Sequence, residues 1–126
     1  MKRREAREKA VQTLFQLEGT ELSIEEAMDY TLDEGDSNAF FEKLVRGTIE
    51  NQEAIDASIA TNLENWSLGR LAKVDRTILR LAVFELQFMP ETPQNVVINE
   101  AIELSKTFGD DQSSKFVNGV LSKYTA

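Results

Sequence analysis

At 126 residues with 41% hydrophobic side chains, the chain is long enough for one domain with a buried core, and it contains neither cysteine nor histidine. That removes disulfide frameworks, thiol chemistry, the commonest zinc ligands and the commonest general base near neutral pH. The formal charge of −8 opposes indiscriminate phosphate binding, yet residues 1–9 carry five of the 14 basic side chains (Lys2, Arg3, Arg4, Arg7, Lys9) and only two of the 22 acidic ones, Glu5 and Glu8. One basic end on an acidic body permits a local RNA site and lets the body receive a basic partner. No apolar run approaches the roughly 18 residues of a membrane span and the basic start leads into an amphipathic stretch, so a soluble, cytoplasmic protein is expected.

The pattern is helical nearly throughout, which predicts an all-α fold of about seven helices. From Arg3, the positions Ala6, Ala10, Val11, Leu14, Phe15 and Leu17 recur at three- and four-residue spacings, and Gly19 supplies a left-handed stop. Ser23 followed by Glu26 reads as a capping box opening a second helix to about Leu32, before Gly35. Residues 38–63 carry one apolar stripe (Phe41, Leu44, Val45, Thr48, Ile55, Ile59, Leu63) with a bend or break expected near Asn51; Trp66 marks a connector. Residues 74–88 are apolar around most of the circumference and belong at the centre. Pro90 and Pro93 bracket a loop, residues 97–108 form the next helix closed by Gly109, and Asp110 or Asp111 caps a final helix bearing Phe116, Val117, Val120, Leu121 and Tyr124.

Placed at 100° intervals, Arg3, Arg4 and Arg7 share the apolar sector of the first helix, so they are expected where it passes the rim of the core. There an arginine either lays its stem over the core edge or forks onto a phosphate. The start of the final helix offers free N–H groups, the hydroxyls of Ser113 and Ser114, and Lys115, while Phe116 sits at the margin of the apolar stripe, where a ring packs in the core or stacks on an unpaired base. Gly119 inside that helix suggests a backbone passing close by. Asp75 complements the dipole of the central helix, and Glu85 in its apolar sector needs a partner, from another protein or from an arginine of this chain. The eight carboxylates from Glu18 to Asp36 lack calcium-loop spacing and read as a solvated face. No catalytic constellation or phosphate-cradling glycine loop stands out, so neither enzymatic activity nor a cofactor is expected.

Three stretches together resemble the NusB family: RREAREKAVQTLFQ at residues 3–16, VDRTILRLAVFEL in the central helix, and INEAIELSKTFG with SSKFVNGVL from Ile98 onward. The resemblance implies two small helical bundles forming one compact RNA-binding domain over residues 1–126. It implies a transcription antitermination factor that pairs with NusE, a ribosomal small-subunit protein, binds the boxA element of nascent ribosomal RNA, and with RNA polymerase and other Nus factors opposes termination. By motif position it further implies RNA contacts at Arg3, Arg4, Arg7, Phe15, Gln112, Ser113, Lys115 and Phe116, and partner contacts at Asp75 and Arg80. Two departures stand out: Glu5 occupies a position that can be arginine in the family, and Phe15 one that is often tyrosine. The competing readings are a helical protein-interaction module, its basic end stabilising a homodimer, and a stand-alone relative of the helical N-terminal domain of RNA cytosine methyltransferases.

Overall fold

A computed structural model describes residues 1–32 and 38–125. Seven α-helices are present among them: α1 (Arg3–Leu17), α2 (Ile24–Thr31), α3 (Ala39–Glu50), α4 (Gln52–Thr61), α5 (Lys73–Phe88), α6 (Gln94–Phe108) and α7 (Asp111–Leu121), with 3-10 turns at Leu68–Arg70 and Ser122–Tyr124. Gly35 and the part of the acidic block at 33–36 lie outside the described residues. No described helix is long and apolar enough to cross a membrane.

Helix α1 packs on α2 and α3, α6 pairs with α7, and α5 touches α1, α3, α4, α6 and α7. The result is an N-terminal group and a C-terminal group of helices joined through α5, the element whose sequence is apolar around most of its girth. Ile78, Leu79, Leu81 and Val83 of α5 are sealed from solvent, together with Leu44, Ile55, Ile59 and Leu121 from three surrounding helices. Gly47 is required where α3 meets α5, because a Cβ there would overlap the Phe84 ring.

Local chemistry sets the boundaries. The Ser23 hydroxyl accepts the Glu26 N–H and the Glu26 carboxylate accepts the Ser23 N–H, both at 3.1 Å, closing the capping box that starts α2. Gly19 adopts the left-handed conformation at φ +80° just beyond α1. The stripe over residues 38–63 is divided at Asn51, whose side chain donates to the Gly47 carbonyl at 2.8 Å, giving α3 and α4. Helix α6 begins at Gln94, three residues earlier than the apolar pattern indicates, directly after Pro93, which takes the N-cap position and lacks an N–H to continue a helix backwards. Asp110, rather than Asp111, caps α7, its Oδ1 accepting the Ser113 N–H at 2.9 Å. Gly119 departs from expectation: it is exposed, and a Cβ built on it meets nothing within 4 Å, so no neighbouring backbone explains it.

Candidate nucleic-acid interface

The first two turns of α1 treat their three arginines differently. Arg3 is exposed, its guanidinium carbon 3.9 Å from the centroid of the Phe40 ring in a cation–π contact. Arg4 is also exposed and forks onto Glu100 of α6, with Nε and Nη2 each donating at 3.1 Å. The Glu100 hydrogen bond, then its charge, raises the Arg4 pKa above its ordinary value. Arg7 does not lie at the rim. It is 4% exposed, 5.1 Å from the Phe40 ring, and its Nε and Nη2 donate to the two oxygens of Glu85 at 2.7 and 2.9 Å. The reason is on α5: Glu85 is 2% exposed, and a carboxylate so placed requires a donor pair that only a guanidinium supplies in bidentate form. The need for a partner at Glu85 and the sector assigned to Arg7 thus answer one another within the chain.

Farther along α1, the half-buried Phe15 meets Phe108 of α6 edge-on, with centroids 6.1 Å apart and rings at 88°. Lys73, at the start of α5, donates to the Phe15 carbonyl at 3.0 Å and holds its ammonium 5.5 Å from the Phe15 ring. With Arg4 beside Glu100 and Phe15 beside Phe108, α1 and α6 run in the same direction, and the Phe15 end of α1 adjoins the turn into α7. The arginine end lies about 18 Å away along the axis, at 1.5 Å per residue. The candidate residues therefore form an elongated track rather than one pocket.

At the other end of the track, Lys115 is exposed and has no ion-pair partner among the described residues. Phe116 is half-buried, as its marginal position on the stripe predicts. It lines a cleft of about 390 Å³ with Trp66, Arg70, Asp75, Gln112 and Ser113. Asp75 Oδ1 is buried there with no hydrogen-bond partner among the described residues. Arg80 lies elsewhere on α5: it forks onto Asp56 at 2.7 and 2.9 Å and borders a separate hollow of about 280 Å³ with Leu14, Glu18 and Thr48. Sequence reasoning took Trp66 only as a connector and assigned no role to Arg70 or Lys73. A lone tryptophan in a connector carries no periodic signal, and only its 56% exposure distinguishes it from a core residue.

These features can hold phosphates and stack bases. A family model described as the NusB family matches residues 4–126. The chain is 64% identical to the transcription antitermination protein NusB of Lysinibacillus sphaericus, covering 99% of this chain and 98% of that one, and 53% identical to the protein so named in Bacillus subtilis, covering 97% and 93%. Among solved structures, T. maritima NusB superposes with a TM-score of 0.89 at 41% identity, covering 98% of this chain and 90% of that one. The crystal structure of antitermination factors NusB and NusE in complex with dsRNA gives 0.85 at 31% identity, covering 97% and 94%. Matched over nearly its whole length in sequence and in fold, the chain belongs to the NusB family.

Proposed function

We propose that the protein is a cytoplasmic transcription antitermination factor, a single RNA-binding domain over residues 1–126. Together with NusE it binds boxA RNA of nascent ribosomal RNA transcripts and, with RNA polymerase and other Nus factors, opposes termination. The observation that carries this reading is the open end of the track: in a chain of this family, an unpaired Lys115 and a half-exposed Phe116 stand beside a cleft large enough for a base. The role is one of positioning, without a chemical step.

On this reading Arg3, Arg4 and Lys115 neutralise phosphates, Phe116 stacks on an unpaired base, and Gln112 and Ser113 border it with polar groups. Phe15 lies between the two ends, with Lys73 above its ring. Arg7, committed to Glu85, acts as a positioning residue that fixes the arginine-bearing turns of α1 against α5. Asp75 and Arg80 are assigned to the NusE side, where a basic partner complements the acidic body. The assignment of Asp75 places the partner next to the Phe116 cleft.

The test is a titration of boxA RNA and a scrambled RNA of equal length, each with and without NusE. Tighter binding of boxA, strengthened by NusE, supports the proposal; equal affinity for both RNAs under all conditions overturns it.

A further inference from the structure

We infer that Trp66 and Phe116 form an aromatic ridge with a base-sized depression on each side, so that the track for unpaired RNA continues past Phe116 along α7 to Lys123. This rests on the RNA-binding reading above. The first depression is the cleft holding Arg70 and Asp75. The second, about 370 Å³, is lined by the same two rings and bordered by Lys115, Gly119 and Lys123. Tryptophan gains more from burial than almost any other side chain, yet Trp66 is 56% exposed. It follows Asn65, which adopts the left-handed backbone conformation at φ +62° in the connector after α4. Stacking on both faces of such a ridge needs no particular base, which suits the entry or exit of a strand rather than its sequence-reading centre.

Charge and space favour a nucleic-acid strand as the occupant. Arg70, Lys115 and Lys123 are all exposed. Lys123 donates to the Asn62 carbonyl at 2.9 Å and lies 3.4 Å from Glu64, whose side chain is 82% exposed, so the ion pair is well solvated and readily exchanged for a phosphate. Asp110 and Glu64 also line the depressions, and Asp75, assigned above to the protein partner, closes the edge of the first. A strand lying there must therefore present base edges to the carboxylates and run its phosphates past the cations. Gly119 now has a role: a glycine that weakens its helix and meets no neighbour keeps the second depression open.

Trp66 is the only tryptophan in the chain, so its emission reports the ridge directly. The full chain with NusE is titrated with boxA RNA extended by a few nucleotides at each end, with Trp66→Phe as the blank for emission from the partner. The expected result is quenching of Trp66 that saturates with RNA binding, near-normal affinity for Trp66→Phe, and a loss of about 5- to 150-fold for Trp66→Ala. Gly119→Gln, which fills the second depression, is expected to weaken RNA binding while the thermal midpoint holds or rises. Normal affinity in both Trp66→Ala and Gly119→Gln, with Trp66 emission unchanged by bound RNA, overturns the inference and leaves the RNA-binding reading intact. Loss of NusE affinity with RNA affinity preserved assigns the ridge to a protein partner and also overturns it. Failure of the wild-type chain to bind RNA with NusE present removes the underlying reading itself.

Discussion

The two ends of the track solve the problem of placing charge on an acidic protein in opposite ways. At the start of α1 every arginine is engaged: Arg3 on Phe40, Arg4 on Glu100, Arg7 on Glu85. At the start of α7, Lys115 stands without an ion-pair partner among the described residues, near a cleft lined by Asp75, one of whose carboxylate oxygens is buried without a hydrogen-bond partner among the described residues. The first end is ordered before any ligand arrives and must give up or share its contacts to bind one. The second is open but depends on α7 for its placement. Basic residues therefore differ in meaning by what holds them: a buried bidentate arginine is part of the framework, whereas an exposed unpaired lysine is available.

The comparison is broken most forcefully at the buried pair. Replacing Glu85 with Ala is expected to destabilise the fold by about 3–5 kcal/mol, because it strands the Arg7 guanidinium in an apolar setting. Replacing both Arg7 and Glu85 with Leu should recover much of that loss, since the pair's own net contribution is small. Denaturant unfolding of the two variants measures the difference. At the open end, Phe116→Leu keeps most of the packing and removes the ring; RNA affinity should fall by about 1–3 kcal/mol while the unfolding midpoint changes little. A smaller effect sharpens the contrast among exposed cations. Lys115→Ala should flatten the salt dependence of RNA binding by about 0.7 in log–log slope. Glu100→Gln, by freeing Arg4, should strengthen binding at low salt without altering stability.

Most of this architecture was legible in the pattern of residues, and for a physical reason: caps and stripes are local. Ser23 with Glu26, the break at Asn51 and the centrality of α5 follow from side chains a few positions apart. Glu85 was recognisable as a group in need of a partner, but which arginine would answer depended on how α1 lies against α5. A helical wheel states a direction and not a neighbour; hence Arg7 was expected at the rim and lies beneath it. Gly119 misled for the same reason, since its cost is local while the space around it is tertiary. Trp66 was read only as a connector, and Arg70 and Lys73 were given no role, because connectors and first turns lack the periodicity that marks a face.

The smallest expected effect lies outside both ends and sets a baseline. Glu25 has its pKa lowered from the ordinary 4.5, first by its own backbone N–H and then by Arg46, which bridges it to Glu42. A depressed folded-state value means that the contribution to stability is present above pH 4.5 and is lost as pH falls through the lower folded value. Because the pair lies at the solvated surface, where water screens it, Arg46→Gln should barely change the acid limb of the stability profile, measured by thermal unfolding against pH.

The central claim is that Arg7 belongs to the framework while Arg3, Arg4 and Lys115 meet the phosphates, and the salt dependence of boxA RNA binding tests it most directly. The slope read is that of the chain's own contribution, the difference between the complex with NusE and NusE alone. Three phosphate contacts predict a log–log slope of about −2 from this chain, becoming shallower by about one third in Lys115→Ala. A slope near zero, or one that Lys115→Ala leaves unchanged, contradicts the account.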